Sequence, residues 1–148
     1  MIGGGKMTQR VDTNMIGLST IEEFIEYGKS MTISNSTLFY KKNLNGTIIN
    51  WDFILDDYFD VLRKFISRKI LTKEEYFRYR YKPKTLSVDL YGTTELAYPI
   101  LRINNLSSAI EFDLGKPLVF DEGITEVIKE IFILERSRIV ANKVEINT

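Results

Sequence analysis

Four groupings of side chains in this sequence have types and spacings from which chemistry can be built. Asp52, Asp56, Asp57 and Asp60 repeat at about one helical turn, an arrangement that would suit acid–base work or a hard cation. Glu22, Glu23 and Glu26 form a second acidic group. Gly3-Gly4-Gly5-Lys6 has the composition of a phosphate loop, and Arg78, Arg80 and Lys82 alternate with Phe77, Tyr79 and Tyr81 in the way that stacks and neutralises a nucleic-acid strand.

Each grouping also has a plainer explanation. A calcium loop needs oxygen ligands converging as Asp-x-Asp-x-Asp-Gly, and the aspartates instead read as the solvated face of a helix, as do the three glutamates. A phosphate loop needs Gly, four residues and then Gly-Lys-Ser/Thr, whereas Met7 follows Lys6. Alternation of basic and aromatic residues is what any half-exposed strand displays. The chain has no histidine and no cysteine, which removes the commonest general base, the thiolate metal sites and every Ser-His or Cys-His nucleophile. No catalytic residue, metal ligand or cofactor site is expected, and the chain is read as something other than an enzyme.

Residues 1–17 are rich in Gly, Asn, Thr and Met without a sustained period and are expected to form a flexible arm unless a neighbour orders it. Ser19, with Glu22 as its capping-box partner, predicts a short helix over Ile21 to Tyr27 that stops at Gly28. Thr32, Ile33, Thr37 and Phe39 predict an extended stretch before the turn residues Asn43-Leu44-Asn45-Gly46. After Asn50, the pairs Phe53-Ile54, Val61-Leu62 and Phe65-Ile66, with Tyr58 between, predict a helix with one buried face. Thr72 to Glu75 can cap a further short turn, and the alternation from Phe77 to Lys82 predicts a strand that ends at Pro83.

Leu86 and Leu90 behind Thr85 predict a short helix stopping at Gly92. Pro99 costs about 3 kcal/mol in a helix interior, so the next helix should begin near it and end at Asn104-Asn105. Lys116 to Phe120 reads as a second strand. Val127, Ile128, Ile131, Leu134 and Arg138 predict a long amphipathic helix after Asp121. The resulting division is an arm (1–17), a mainly helical region (18–76), a core (77–120) and a C-terminal helix with its tail (121–148).

The order of strand, helix, glycine, helix, Asn-Asn and strand between Tyr79 and Phe120 resembles the LysM βααβ module. More closely, Leu90-Tyr91-Gly92, then Tyr98, Leu101 and Asn104-Asn105, resembles the LysM-like core of baseplate wedge subunits in contractile-tailed phages, the family typified by the T4 wedge protein numbered fifty-three. The resemblance implies an α+β fold with a small core over about 77–120, in which Leu90, Tyr91, Gly92, Tyr98, Leu101 and Asn104 are core positions. It also implies a virion protein of the tail baseplate, made in the host cytoplasm, that binds neighbouring baseplate proteins in a hetero-oligomeric assembly.

Arg78, Arg80 and Lys82 on the first strand, with Ile128, Ile131 and Arg138 on the C-terminal helix, are the expected contact surfaces. The aromatic content of 12% suits interfaces, where tyrosine supplies large amphipathic area. Lys plus Arg and Asp plus Glu each total 20, so no net field draws the chain onto nucleic acid or an anionic membrane. The longest apolar run, Ile131 to Leu134, falls well short of the roughly 18 residues that span a bilayer. The rival reading is a LysM-type module binding peptidoglycan or chitin, which would put Lys82 to Thr85 and Asn105 to Ile110 at a sugar groove.

Overall fold

The computed structural model describes residues 20–30, 39–41 and 47–147. The fold is α+β, with helices, two short antiparallel ribbons and a long C-terminal helix. It divides into two compact units, one of the described residues up to Ile54 together with those from Glu126 onward, the other Leu55–Thr125.

In the first unit, helix α1 (Ile21–Ser30) buries Ile21, Phe24 and Ile25, the i, i+3, i+4 stripe of an amphipathic helix, and turns Glu22, Glu23 and Glu26 to solvent. Its cap is Thr20 with Glu23 rather than Ser19 with Glu22. The Glu23 N–H donates to Thr20 Oγ1 at 3.2 Å and the Thr20 N–H to Glu23 Oε1 at 3.0 Å. The helix runs through Gly28, where an end was expected, because a glycine only weakens a helix that the earlier turns already hold.

Strands β1 (Phe39–Lys41) and β2 (Thr47–Ile49) pair antiparallel with Phe39 opposite Ile49, which makes the hairpin suggested by the turn residues. The arm over 1–17 with its Gly3-Gly4-Gly5-Lys6, the stretch through Thr32, Ile33 and Thr37, and the turn Asn43-Leu44-Asn45-Gly46 lie outside the described residues. The C-terminal helix contributes Ile128, Ile131 and Phe132 to the buried set, and the Phe132 ring stacks on Phe24 with centroids 6.2 Å apart.

Helix α2 (Trp51–Asp57) begins behind Asn50, whose Oδ1 accepts the Phe53 N–H at 3.2 Å. The apolar pairs predicted one helix to Ile66, but the helix breaks at Tyr58 and resumes as α3 (Phe59–Leu62). A 3₁₀ turn follows (Arg63–Phe65), and Ile66 opens strand β3 (Ile66–Arg68). Pairing with a strand some fifty residues later draws Ile66 out of the helical period; β3 lies antiparallel to β4 (Leu118–Phe120), with Ile66 opposite Phe120 and Arg68 opposite Leu118.

The strand expected from Phe77 to Lys82 is not formed. Residues Lys73–Tyr79 are helix α4, nucleated by a capping box in which Thr72 accepts the Glu75 N–H and the Glu75 side chain accepts the Thr72 N–H. The first strand of the core is β3. The period-two alternation was misleading because only Tyr79 of its aromatics is buried, while Phe77 and Tyr81 are exposed.

Beyond it, Pro83 opens α5 (Pro83–Tyr91), which ends on Gly92 in the left-handed conformation at φ 76°. Helix α6 (Ala97–Ile103) holds Pro99 in its first turn, where a missing N–H breaks no intrahelical bond, and it closes over Asn104 and the left-handed Asn105. Helices α4, α5 and α6 pack in sequence, and α6 packs on β4. Leu86, Leu96, Ile100 and Phe112 are fully buried at the centre of this unit. Helix α7 (Ile124–Asn147) completes the chain. No helix among the described residues is long and apolar enough to cross a membrane.

Candidate interaction surface

The corner between α4 and α5 carries the basic residues singled out from the sequence, and each arginine is locked by an acid that sequence reasoning missed. Arg78, on the last turn of α4, donates through Nε to Asp89 Oδ2 at 2.8 Å, and the Tyr79 hydroxyl donates to the same oxygen at 2.9 Å. The Arg78 guanidinium and then the Tyr79 hydroxyl hold the Asp89 carboxyl below the usual carboxylate range. Burial, and then the bond to Asp89, raises the Tyr79 hydroxyl.

Arg80 ion-pairs with Asp113, Nε lying 3.3 Å from Oδ1. That Nε is buried without a well-formed hydrogen bond, so the contact is electrostatic rather than directional. The guanidinium lies over the Tyr81 ring at 4.6 Å and near the Tyr76 ring at 5.8 Å. The Tyr76 hydroxyl bonds to Asp113 and is raised by it.

Tyr81 has φ 62°, a left-handed backbone that a bulky side chain rarely adopts. Its N–H donates to the Phe112 carbonyl at 2.7 Å, which pins the turn. Around this frame stand large exposed apolar side chains: Phe77 at 57%, Tyr81 at 43% and, two residues before Phe112, Ile110 at 76%. Lys82 is exposed in the N-cap position of α5.

The remaining expectations fare unevenly. Ile128 and Ile131 are buried at 2% and 4% exposure, so they hold the fold together rather than meet a partner. The Arg138 side chain lies outside the described residues. Of the positions assigned to the core, Leu101 is buried, but Leu90 and Tyr98 are 37% and 40% exposed because they fall on the outward faces of α5 and α6. Asp52, Asp56, Asp57 and Asp60 are all exposed, and no group of acids placed to hold a metal ion occurs among the described residues.

Tyr91, Gly92 and Asn104 act as a unit around β4. Gly92 reverses the chain after α5, leaving Tyr91 as the last helical residue. The Tyr91 hydroxyl accepts the Phe120 N–H at 2.7 Å and donates to the Phe120 carbonyl at 2.8 Å. Asn104 Oδ1 accepts the Leu118 N–H, and its Nδ2 donates to the carbonyls of Leu118 and Ile100, all at 2.8 Å. The two side chains thus satisfy the donors and acceptors at alternate residues of one strand, as a neighbouring strand would. Burial drives the Tyr91 hydroxyl far above its ordinary range, against the lowering effect of its bond to Phe120, so it stays neutral and can both donate and accept.

The arrangement defines a small α+β protein whose distinctive features are a side-chain-clipped ribbon and an Arg–Tyr surface braced by two aspartates. No protein-family model matches the chain, and neither does any curated protein or solved structure.

Proposed function

We propose that the chain is a non-catalytic assembly protein, a baseplate wedge subunit of a contractile-tailed phage, that binds its neighbours through the α4–α5 corner. The observation that carries this reading is the strained Tyr81 backbone among Phe77, Arg78, Arg80 and Ile110. Strain in an exposed aromatic residue persists where the side chain is wanted at that spot, and Tyr, Phe and Arg on a rigid frame are the composition of interface anchors. Gly92 ending α5 and Asn104 closing α6 before an antiparallel β4 support the likeness to the wedge subunits, whereas the first strand at Ile66 and the three helices after it depart from the module's βααβ order.

The test separates contact from stability. Tyr81→Gly relieves the left-handed strain and should leave the unfolding free energy within about 1 kcal/mol of the parent. Its retention with tail proteins in a pull-down from producing cells should fall about tenfold or more. Unchanged retention would remove the corner from the interface.

A glycan-binding reading ranks second and has one observation in its favour, a cleft of about 600 Å³ lined by Arg68, Ile103, Asn104, Asn105 and residues 114–116 with Leu118. It lies beside the loop before the second strand, as the module's sugar groove would. Lys82 to Thr85 do not line it, and its lining contains no aromatic ring on which a sugar would stack. Saturable binding to peptidoglycan, competed by chitin oligomers, would reverse the ranking.

A further inference from the structure

The ribbon of β3 and β4 has two outer edges, and the fold treats them differently. The edge of β4 is closed by Tyr91 and Asn104, which occupy the N–H and carbonyl groups of Phe120 and Leu118. On the β3 side the antiparallel register continues past the strand. The Asp121 N–H donates to the Phe65 carbonyl, the Lys69 N–H to the Pro117 carbonyl at 2.9 Å and the Leu71 N–H to the Gly115 carbonyl at 3.0 Å. Odd-numbered residues from Phe65 to Leu71 therefore turn their polar groups inward. By the alternation of a strand, the Arg68 and Ile70 backbone groups and the Ile66 carbonyl turn outward. Among the described residues no strand pairs with that edge.

Natural proteins cover or blunt such edges, because unpaired donors and acceptors template another strand. Here the edge spans about 13 Å from Ile66 to Ile70 and presents Ile70, 71% exposed, beside its open groups. Its charge is mainly basic; across the ribbon Asp121 accepts from the Ser67 hydroxyl, and Arg68 Nη1 donates to the Lys116 carbonyl at 2.6 Å. Between Val61 and Lys73 the chain carries Arg63, Lys64, Arg68, Lys69 and Lys73 and no carboxylate. Lys64, Lys73 and, across the ribbon, Lys116 are exposed. Arg63 and Lys69 reach only loose ion pairs, 4.0 Å to Asp60 and 3.8 Å to Glu75.

We propose that this edge receives an extended acidic segment of a partner protein, which adds a third strand outside β3 and sets its carboxylates against the basic run. The occupant is chosen by three features, the basic run, the open backbone row and the exposed Ile70. A second copy in antiparallel pairing would set Arg68 and Lys69 against their own images, and like charges facing each other across strands are destabilising. A nucleic acid would satisfy the cations, but it has no use for a backbone row that alternates donors with acceptors beside an exposed isoleucine. An acidic strand satisfies all three, by main-chain bonds for affinity and ion pairs for choice of partner.

The inference rests on the assembly reading only for the partner's place in a particle, and its test is independent of that reading. The probe is a capped seven-residue peptide alternating glutamate with valine, added to the full-length chain and followed by amide NMR and hydrogen exchange. Two control peptides replace every glutamate by lysine or N-methylate alternate amides. The acidic peptide should slow exchange of the Arg68 and Ile70 amides about tenfold or more, the lysine peptide should leave them unchanged, and N-methylation should weaken binding about tenfold or more. Lys64→Glu, at an exposed side chain just before β3, should weaken the acidic peptide by a similar factor while leaving the thermal midpoint close to that of the parent.

Equal binding of the acidic and lysine peptides, indifference to N-methylation, or amide protection only by a single-stranded oligonucleotide would each overturn the proposal, as would protection by self-association without peptide. If the chain joins tail proteins but ignores the acidic peptide, this inference fails and the assembly reading stands. If the peptide binds and no tail protein is retained, the reverse holds.

Discussion

At the scale of single residues, the chain repeatedly uses one side chain to serve two backbone groups. Tyr91→Phe would leave the Phe120 N–H and carbonyl without their partner in a part-buried setting and should cost about 1–3 kcal/mol in urea denaturation. Asn104→Ala should cost a similar amount through Leu118. Because both clips act on one three-residue strand, the double variant should depart from additivity by about 0.5 kcal/mol or more. The Arg78–Asp89 lock makes a different prediction, of pH dependence. The folded-state pKa of Asp89 is lowered, so its contribution is present once the group is ionised and is lost as the pH falls through that lowered value. Parent and Asp89→Asn should therefore differ in stability near neutral pH and converge below the ordinary aspartate value of 3.8, read from denaturation midpoints at a series of acidic pH values.

At the scale of elements, what was legible in the sequence was what neighbours along the chain decide. Gly92 as a terminator, Pro99 near a helix start and Asn104-Asn105 as an end all follow from backbone preference within a few residues. So does the Thr72 cap, and that cap is why the strand read over Phe77 to Lys82 was wrong: a capping box fixes a helix from its first turn, and the aromatic alternation downstream does not oppose it strongly. Thr72→Ala should lower stability by about 1 kcal/mol in urea denaturation. What was not legible depends on distance. Nothing near Ile66 announces its pairing with Phe120, and nothing near Arg78 or Arg80 announces Asp89 or Asp113. The resemblance named Asn104 and Tyr91 as core positions without saying that they work by hydrogen bonding to β4. The basic residues of the α4–α5 corner were legible in the sequence, but their bracing acids and the Tyr81 strain were visible only in three dimensions.

At the scale of the whole molecule, the question is which parts of the chain the fold needs and which serve other molecules. The Leu55–Thr125 unit closes its ribbon with side chains of its own, Tyr91 and Asn104, and fills its centre with Leu86, Leu96, Ile100 and Phe112. Leu101, 8% exposed on α6, belongs to that packing, and Leu101→Ala should cost about 2–5 kcal/mol by removing buried methyl groups and leaving a cavity. Residues 1–17 show no sustained helical or strand period and lie outside the Leu55–Thr125 unit, so their deletion should leave the urea midpoint of this unit close to that of the intact chain. On the assembly reading the same deletion should reduce retention with partner proteins. The decisive comparison is the ratio of the two losses in each variant. Leu101→Ala should lose stability first and retention only as a consequence, recovering retention when the pull-down is cooled. The truncated chain should lose retention at a temperature where its fold is intact, and equal thermal damage from both changes would show that the arm belongs to the fold.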